Sequence, residues 1–284
     1  MDPRFAAALA ACIWGTTYVL TDIMPQNAIF VAAVRAIGGA LPLIIIARAW
    51  PDRVWFWRAI VLGTFNCGIF FGLLFVGAYR LPGGIAGTLQ SLVPLFAVFF
   101  AWPLLGQPPS LWRIVFILVG SVGVGLLLSR GPVALDWIGI LAALGSAISS
   151  GMGAVLLDRW GRPPSMIALT SWQLVVAAVE LLALSILIDD IPDAISGVNL
   201  LAFAYLCLIG TALPYFLWFY GIVNAGANRV ASLVLFSPLV AFLLDAVFRG
   251  LIPSVPQSIG AALIMASVVA SQRIGRPPAA TVIR

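Results

Sequence analysis

Residues 89–110 read Leu-Gln-Ser-Leu-Val-Pro-Leu-Phe-Ala-Val-Phe-Phe-Ala-Trp-Pro-Leu-Leu-Gly-Gln-Pro-Pro-Ser, and residues 233–254 read Leu-Val-Leu-Phe-Ser-Pro-Leu-Val-Ala-Phe-Leu-Leu-Asp-Ala-Val-Phe-Arg-Gly-Leu-Ile-Pro-Ser. A shift of 144 residues lays Leu89 on Leu233, Pro94-Leu95-x-Ala97 on Pro238-Leu239-x-Ala241, Gly106 on Gly250 and Pro109-Ser110 on Pro253-Ser254. Carried upstream, the same shift pairs Phe75 with Phe219 and Gly77 with Gly221, so nine of the 36 positions from 75 to 110 are identical. A second register of 136 residues pairs Gly15, Val19, Leu20 and Asp22 with Gly151, Val155, Leu156 and Asp158. This internal likeness predicts two copies of one unit, 1–130 and 131–284.

Each unit is built for lipid. Of 284 residues, 62% are hydrophobic and only 9% charged, where soluble domains carry about 25% charged residues. Ten apolar runs approach the roughly 20 residues that cross a bilayer: 5–23, 28–47, 55–79, 84–105, 111–129, 137–157, 166–188, 200–223, 230–248 and 254–272. Turn formers separate them, among them Pro25, Trp50-Pro51-Asp52, Pro82-Gly83-Gly84, Gln107-Pro108-Pro109, Gly131-Pro132, Pro163-Pro164 and Pro192-Asp193. The first run follows Met1–Arg4 at once and lacks a small-x-small cleavage site, which reads as a retained helix. The expected fold is therefore an all-α polytopic membrane protein of ten transmembrane helices, or nine if one run is re-entrant. Five crossings per unit is an odd number, so the second copy enters the membrane from the opposite side. Such inverted repeats are typical of secondary transporters.

The charges say which way the chain faces. All fifteen basic residues are arginine. Eleven fall on the face that holds both termini (Arg4, Arg48, Arg53, Arg58, Arg113, Arg159, Arg162, Arg229, Arg273, Arg276, Arg284), and three on the other (Arg80, Arg130, Arg249), with Asp189, Asp190 and Asp193. The positive-inside rule then predicts both termini in the cytoplasm and the chain in the inner membrane. Arginines scattered singly through short loops form no stripe for nucleic acid. Cys12, Cys67 and Cys207 are dispersed in apolar runs and imply neither a disulfide framework nor a metal site. With no histidine there is no Ser-His dyad and no histidine-ligated zinc, and with no lysine no retinal Schiff base. No enzyme activity and no cofactor are expected; a membrane scaffold would leave the inverted repeat without a use.

Polar and aromatic side chains inside the runs mark a candidate pocket, because polar groups in hydrocarbon face a cavity or a partner. Trp14, Thr17, Tyr18 and Thr21 share one face of the first helix. The third offers Asn66 and Phe70, and the fourth Gln90 and Ser91 just before Pro94. The second half adds Ser146 and Ser149, Tyr215 and Trp218, and Ser232 and Phe236. Together they supply ring faces for an aromatic solute and hydroxyl or amide groups for its polar end. Arg35, Glu180 and Asp245 are ionisable groups within spans. Arg35 suits a substrate carboxylate, or a structural ion pair, or snorkelling to the surface; the two acids suit proton exchange. Pro94 and Pro238 each delete one backbone hydrogen bond in mid-helix and are candidate hinges.

The residues also carry a resemblance. Ala10-Ala11-Cys12-Ile13-Trp14-Gly15-Thr16-Thr17-Tyr18, Val34-Arg35 and Leu92-Val93-Pro94-Leu95-Phe96 with Gly106-Gln107 after it resemble the EamA family of the drug/metabolite transporter superfamily, over essentially the whole chain. Gln107 stands where that family usually carries an acid. Within the family, the compact chain rich in aromatics is similar to YddG-type exporters of aromatic amino acids. The resemblance implies two inverted five-helix bundles around a cavity lined by helices one, three, four, six, eight and nine. With helix seven outside that cavity, Glu180 becomes structural. It also implies a small-molecule partner, a hydrophobic amino acid or other aromatic solute, exported by alternating access in contact with membrane lipid; proton-coupled export of other metabolites or drugs is the alternative, and no oligomeric state follows.

Overall fold

A computed structural model describes residues 1–17, 20, 23–81, 83–128, 136–188, 190–192, 194–249 and 254–273, leaving aside the side chains of 83–85, 88, 128, 245, 246, 248, 249 and 272. Tyr18 and Thr21 lie outside the described residues, as does the side chain of Asp245. So do Arg130, Asp189, Asp193, Arg276 and Arg284 of the charge asymmetry, and the side chain of Arg249.

Among the described residues the chain forms ten helices and no strand. They are α1 (Pro3–Thr16), α2 (Ala28–Ala47), α3 (Arg53–Arg80), α4 (Gly83–Gln90 and Val93–Leu105), α5 (Leu111–Leu128), α6 (Trp137–Trp160), α7 (Met166–Leu187), α8 (Gly197–Ala225), α9 (Ala227–Val230, Ala231–Leu235 and Phe236–Arg249) and α10 (Val255–Arg273). Six of them, α2, α3, α6, α7, α8 and α9, are long and apolar enough to cross a membrane by length and composition. Polar caps start several helices. Asp52 accepts from the N–H groups of Val54 and Trp55, Asp136 from those of Ile138 and Gly139, and Ser196 with Asn199 makes a capping box on α8. Each cap satisfies N–H groups that a helix start leaves without partners.

Three helices depart from the continuous runs expected of them. α1 keeps α geometry only to Thr16, where the hydroxyls of Thr16 and Thr17 bond the carbonyls of Ile13 and Trp14, each at 2.7 Å. Such back-bonding competes with helix propagation. α4 breaks at Ser91 and Leu92, ahead of Pro94, where the tighter bonds Leu92 N–H to Leu89 and Leu95 N–H to Leu92 take over. α9 winds as a 3₁₀-helix over Ala231–Leu235, ahead of Pro238. In both cases the proline has no N–H to close the turn below it.

α3 and α8 each contain a single π-turn, Thr64–Gly68 and Leu208–Ala212, separated by the same 144 residues that relate the two halves of the sequence. A π-turn inserts one residue into the ladder and often marks a functional site.

The packing follows an exchange rule. α2 packs on α7 and α5 on α10; α1 packs on α8 and α9, while α6 packs on α3 and α4. This set is unchanged when the first five helices trade labels with the last five. α5 and α10 cross backbone to backbone: a Cβ on Gly260 would stand 2.5 Å from the Gly123 carbonyl oxygen and 2.6 Å from the Leu127 nitrogen. α1 meets its neighbours through buried Ala6, Ala7, Ala10 and Ala11. Large apolar side chains such as Ile45, Leu118, Leu141, Leu187 and Leu201 lie exposed on the outside, as a lipid-facing belt requires.

Candidate functional site

The interior of the bundle holds a cavity of about 130 Å³, walled by α1, α2, α3, α4, α6, α8 and α9. α3 contributes Asn66 from its π-turn and then, along one face, Phe70, Leu74 and Ala78 at the four-residue spacing that stacks side chains on a helix. α8 contributes Tyr215 and Trp218, one turn apart, just after its own π-turn. Their rings gather around Trp14, whose centroid is 5.1 Å from that of Tyr215 and 5.2 Å from that of Trp218. Tyr215 also meets Phe71 edge-on at 5.3 Å and Phe219 at 5.5 Å. This is an apolar, polarisable wall built of aromatic rings.

Polar side chains are set into that wall and held from behind. The Asn66 amide donates to Gln173 Oε1 at 2.8 Å, and Gln90 Nε2 donates to Ser146 Oγ at 3.0 Å. Arg35, 5% exposed, sends Nε to the Thr211 hydroxyl at 2.9 Å and Nη2 to the Gly210 carbonyl at 3.1 Å, with its guanidinium carbon 4.5 Å from the Phe71 ring centre. It therefore braces the π-turn of α8 while lining the cavity. Glu180 accepts from Thr64, the first residue of the other π-turn, and does not line the cavity. No described residue of the cavity wall is acidic.

The cavity wall reaches Met24 and Ala78, towards the face opposite Met1. On the Met1 face, the turn between α8 and α9 is tied down. Asp158 accepts from Ala227 N–H at 2.9 Å, Asn228 donates to Gln107 at 2.6 Å, and Arg162 bonds Asn224.

Of the residues singled out from sequence, Trp14, Thr17, Arg35, Asn66, Phe70, Gln90, Ser91, Tyr215, Trp218 and Pro238 come together in the cavity wall. Ser146, Ser149, Ser232, Phe236 and Pro94 do not. Ser146 stands behind Gln90, and Ser149 donates to the Phe65 carbonyl at 2.7 Å, inside the π-turn of α3. Ser232 and Phe236 are turned away by the 3₁₀ stretch. Five residues wound at three per turn rather than 3.6 advance the helix phase by roughly 100°, so Val234, Leu235 and Ser237 face the cavity instead. Sequence reading also passed over Ser150, Phe75 and Phe219; Phe75 and Phe219 are themselves a pair in the 144-residue register.

Comparison with known proteins bears on what such a cavity serves. The sequence profile of the EamA-like transporter family matches residues 4–129 and, a second time, residues 137–271. This chain belongs to that family. It is 36% identical over 273 residues to the protein PecM of Dickeya dadantii, covering 94% of this chain and 91% of that one. A transporter of Bacillus subtilis, YvbV, is 24% identical over 85% of this chain and 82% of its own. A chloroplastic WAT1-related protein of Arabidopsis thaliana is 27% identical over 90% of this chain and 66% of its own. A solved crystal structure superposes with a TM-score of 0.79 at 22% identity, over 95% of this chain and 97% of the other, which establishes a shared fold. The cavity thus lies in a polytopic membrane protein of a transporter family, and membership of that family implies a small-molecule substrate.

Proposed function

We propose that this chain is a secondary transporter that exports small hydrophobic or aromatic solutes, amino acids among them, across the cytoplasmic membrane by alternating access. The observation that carries this reading is the aromatic cavity between the two halves, with α1, α3 and α4 on one side and α6, α8 and α9 on the other. Trp14, Phe70, Tyr215 and Trp218 supply the ring faces, and Thr17, Asn66, Gln90 and Ser91 are polar members of the same wall. The chain crosses the membrane ten times as two inverted five-helix units, 1–130 and 131–284, with both termini cytoplasmic. Four features support the inversion: the twofold match to one family profile, the π-turns 144 residues apart, the exchange-symmetric packing and the arginine asymmetry. Pro94 and Pro238 are the hinges at which α4 and α9 bend to open one mouth and shut the other.

Transport runs down the solute's own gradient, since no described wall residue is a carboxylate that would exchange protons. Proteoliposomes holding only this protein and a panel of aromatic, aliphatic and charged amino acids test the reading. Saturable flux favouring the aromatic members is expected. Flux without that preference removes the substrate class, absence of all flux removes the transporter, and uphill accumulation under a pH gradient removes the facilitator.

A further inference from the structure

We propose that Tyr215 and Trp218 form a hydrogen-bond donor pair that selects aromatic solutes bearing an acceptor oxygen, such as a ketone, amide or carboxylate, over ring systems of the same shape that lack one. The proposal rests on the cavity being the solute site. Tyr215 and Trp218 lie three residues apart on α8 and so on one face. They are 3% and 6% exposed, and both line the cavity.

The polar groups of the wall divide into two sets. Thr17 donates to the Trp14 carbonyl, Asn66 to Gln173, Gln90 to Ser146 and Arg35 to Thr211 and Gly210, and Ser91 is likewise partnered, so these are engaged within the protein. Among the described residues, the Tyr215 hydroxyl and the Trp218 indole N–H have no hydrogen-bond partner. Neither atom is among the sealed-off unpartnered groups, as the indole N–H of Trp14 is, and both residues line the cavity. The hydroxyls of Ser150 and Ser237, also in the wall, donate or accept by rotating; the Tyr215 hydroxyl can do the same, and it is the Trp218 indole that fixes the polarity of the pair. An indole N–H only donates, so it requires an acceptor from whatever fills the space beside it. A ring packed against Phe70 and Phe75, on the α3 side, directs its substituent towards this pair. A solute without an acceptor leaves a donor desolvated and unmatched, which lowers affinity on the order of tenfold or more.

A matched pair of neutral probes, 2-acetylnaphthalene and 2-ethylnaphthalene, isolates the acceptor, because the two differ by a carbonyl in place of a methylene. The full chain in detergent, labelled with ¹⁵N-tryptophan, reports on the donor through its indole N–H resonances, the Trp218 signal being the one lost in Trp218→Phe. The acetyl probe is expected to move that resonance downfield and, after correction for partition into the micelle, to bind about tenfold or more tighter than the ethyl probe. Tyr215→Phe with Trp218→Phe keeps an aromatic ring at each position and is expected to abolish the preference; if the double variant does not fold, Trp218→Phe alone serves. Equal binding of both probes to the wild type, binding of neither, or a preference that survives the substitutions overturns the proposal. Binding preference without flux in proteoliposomes would instead leave this inference standing and remove the transport reading.

Discussion

Arg35 of α2 and Gln173 of α7 each reach into the π-turn of the opposite half. Arg35 donates to Thr211 and Gly210 of α8, and Gln173 accepts from Asn66 of α3 at 2.8 Å. Exchanging α2 with α7 and α8 with α3 maps one brace onto the other. A π-turn leaves backbone groups out of the regular ladder, and a buried polar group without a partner is costly. The two braces use different chemistry: one is a charged fork, 5% exposed, and the other a neutral amide, fully buried. The halves therefore keep one architecture with unequal polarity, and the positive charge sits on the cavity side of α2.

Replacing Arg35 should show how much that brace holds. Arg35→Gln strips the Gly210 carbonyl of its charged donor and should lower stability by about 2 kcal/mol. Arg35→Lys should restore little, because an ammonium cannot reproduce the planar fork. Thermal unfolding of the purified variants in detergent measures both.

The Asn66–Gln173 pair lends itself to a double-mutant cycle. Asn66→Leu or Gln173→Leu alone strands a buried amide and should cost about 1–3 kcal/mol. The double variant should cost less than the sum of the singles by at least about 0.5 kcal/mol. Strict additivity in denaturation midpoints would show that the bond carries no coupling.

The α5–α10 crossing predicts a contrast between two glycines. Gly260→Ala drives a methyl to 2.5 Å from a carbonyl oxygen, whereas a Cβ at Gly197 meets nothing within 4 Å. The first should destabilise by about 1–3 kcal/mol and the second by no more than about 0.5 kcal/mol. Melting temperatures of the two variants, measured side by side, check the difference.

Asp136 ties the end of α3 to the start of α6. The backbone N–H of Gly139 and the Arg80 guanidinium at 3.1 Å hold its carboxyl below the ordinary 3.8. Its contribution is thus present above the ordinary carboxylate range and lost as pH falls through the lowered value. The gap in melting temperature between wild type and Asp136→Asn should be widest near neutrality and close on acidification.

The hinge assignment predicts an effect on motion rather than folding. Pro94→Ala with Pro238→Ala restores two N–H donors and should straighten α4 and α9. It should slow flux several-fold and reduce exchange of cysteine accessibility between the two mouths. Unaltered flux and accessibility would mean the breaks are static.

Much of this was legible in the sequence because it rests on periodicity. The 144-residue register located the prolines at which α4 and α9 change winding, and helical spacing on α1 and α8 brought Trp14, Tyr215 and Trp218 to one wall. What escaped was phase. A π-turn adds a residue and a 3₁₀ stretch overwinds, and neither leaves a compositional mark, so Ser232 and Phe236 were expected where Leu235 and Ser237 stand. Partnership escaped for a related reason: nothing in the order of residues shows that Ser146 backs Gln90 or that Arg35 grips the Gly210 carbonyl. Such contacts depend on how two distant helices meet, not on either alone.

Inversion of the two halves is tested most directly by the sidedness of three points on the chain. Single cysteines placed at residues 2, 134 and 280, in a background free of the native three, are challenged in intact cells with a membrane-impermeant maleimide. Labelling at 134 alone, with 2 and 280 reacting only after permeabilisation, is the expected result, because five crossings separate the central link from either end. Labelling of 134 together with either terminus, or protection of all three, would contradict it.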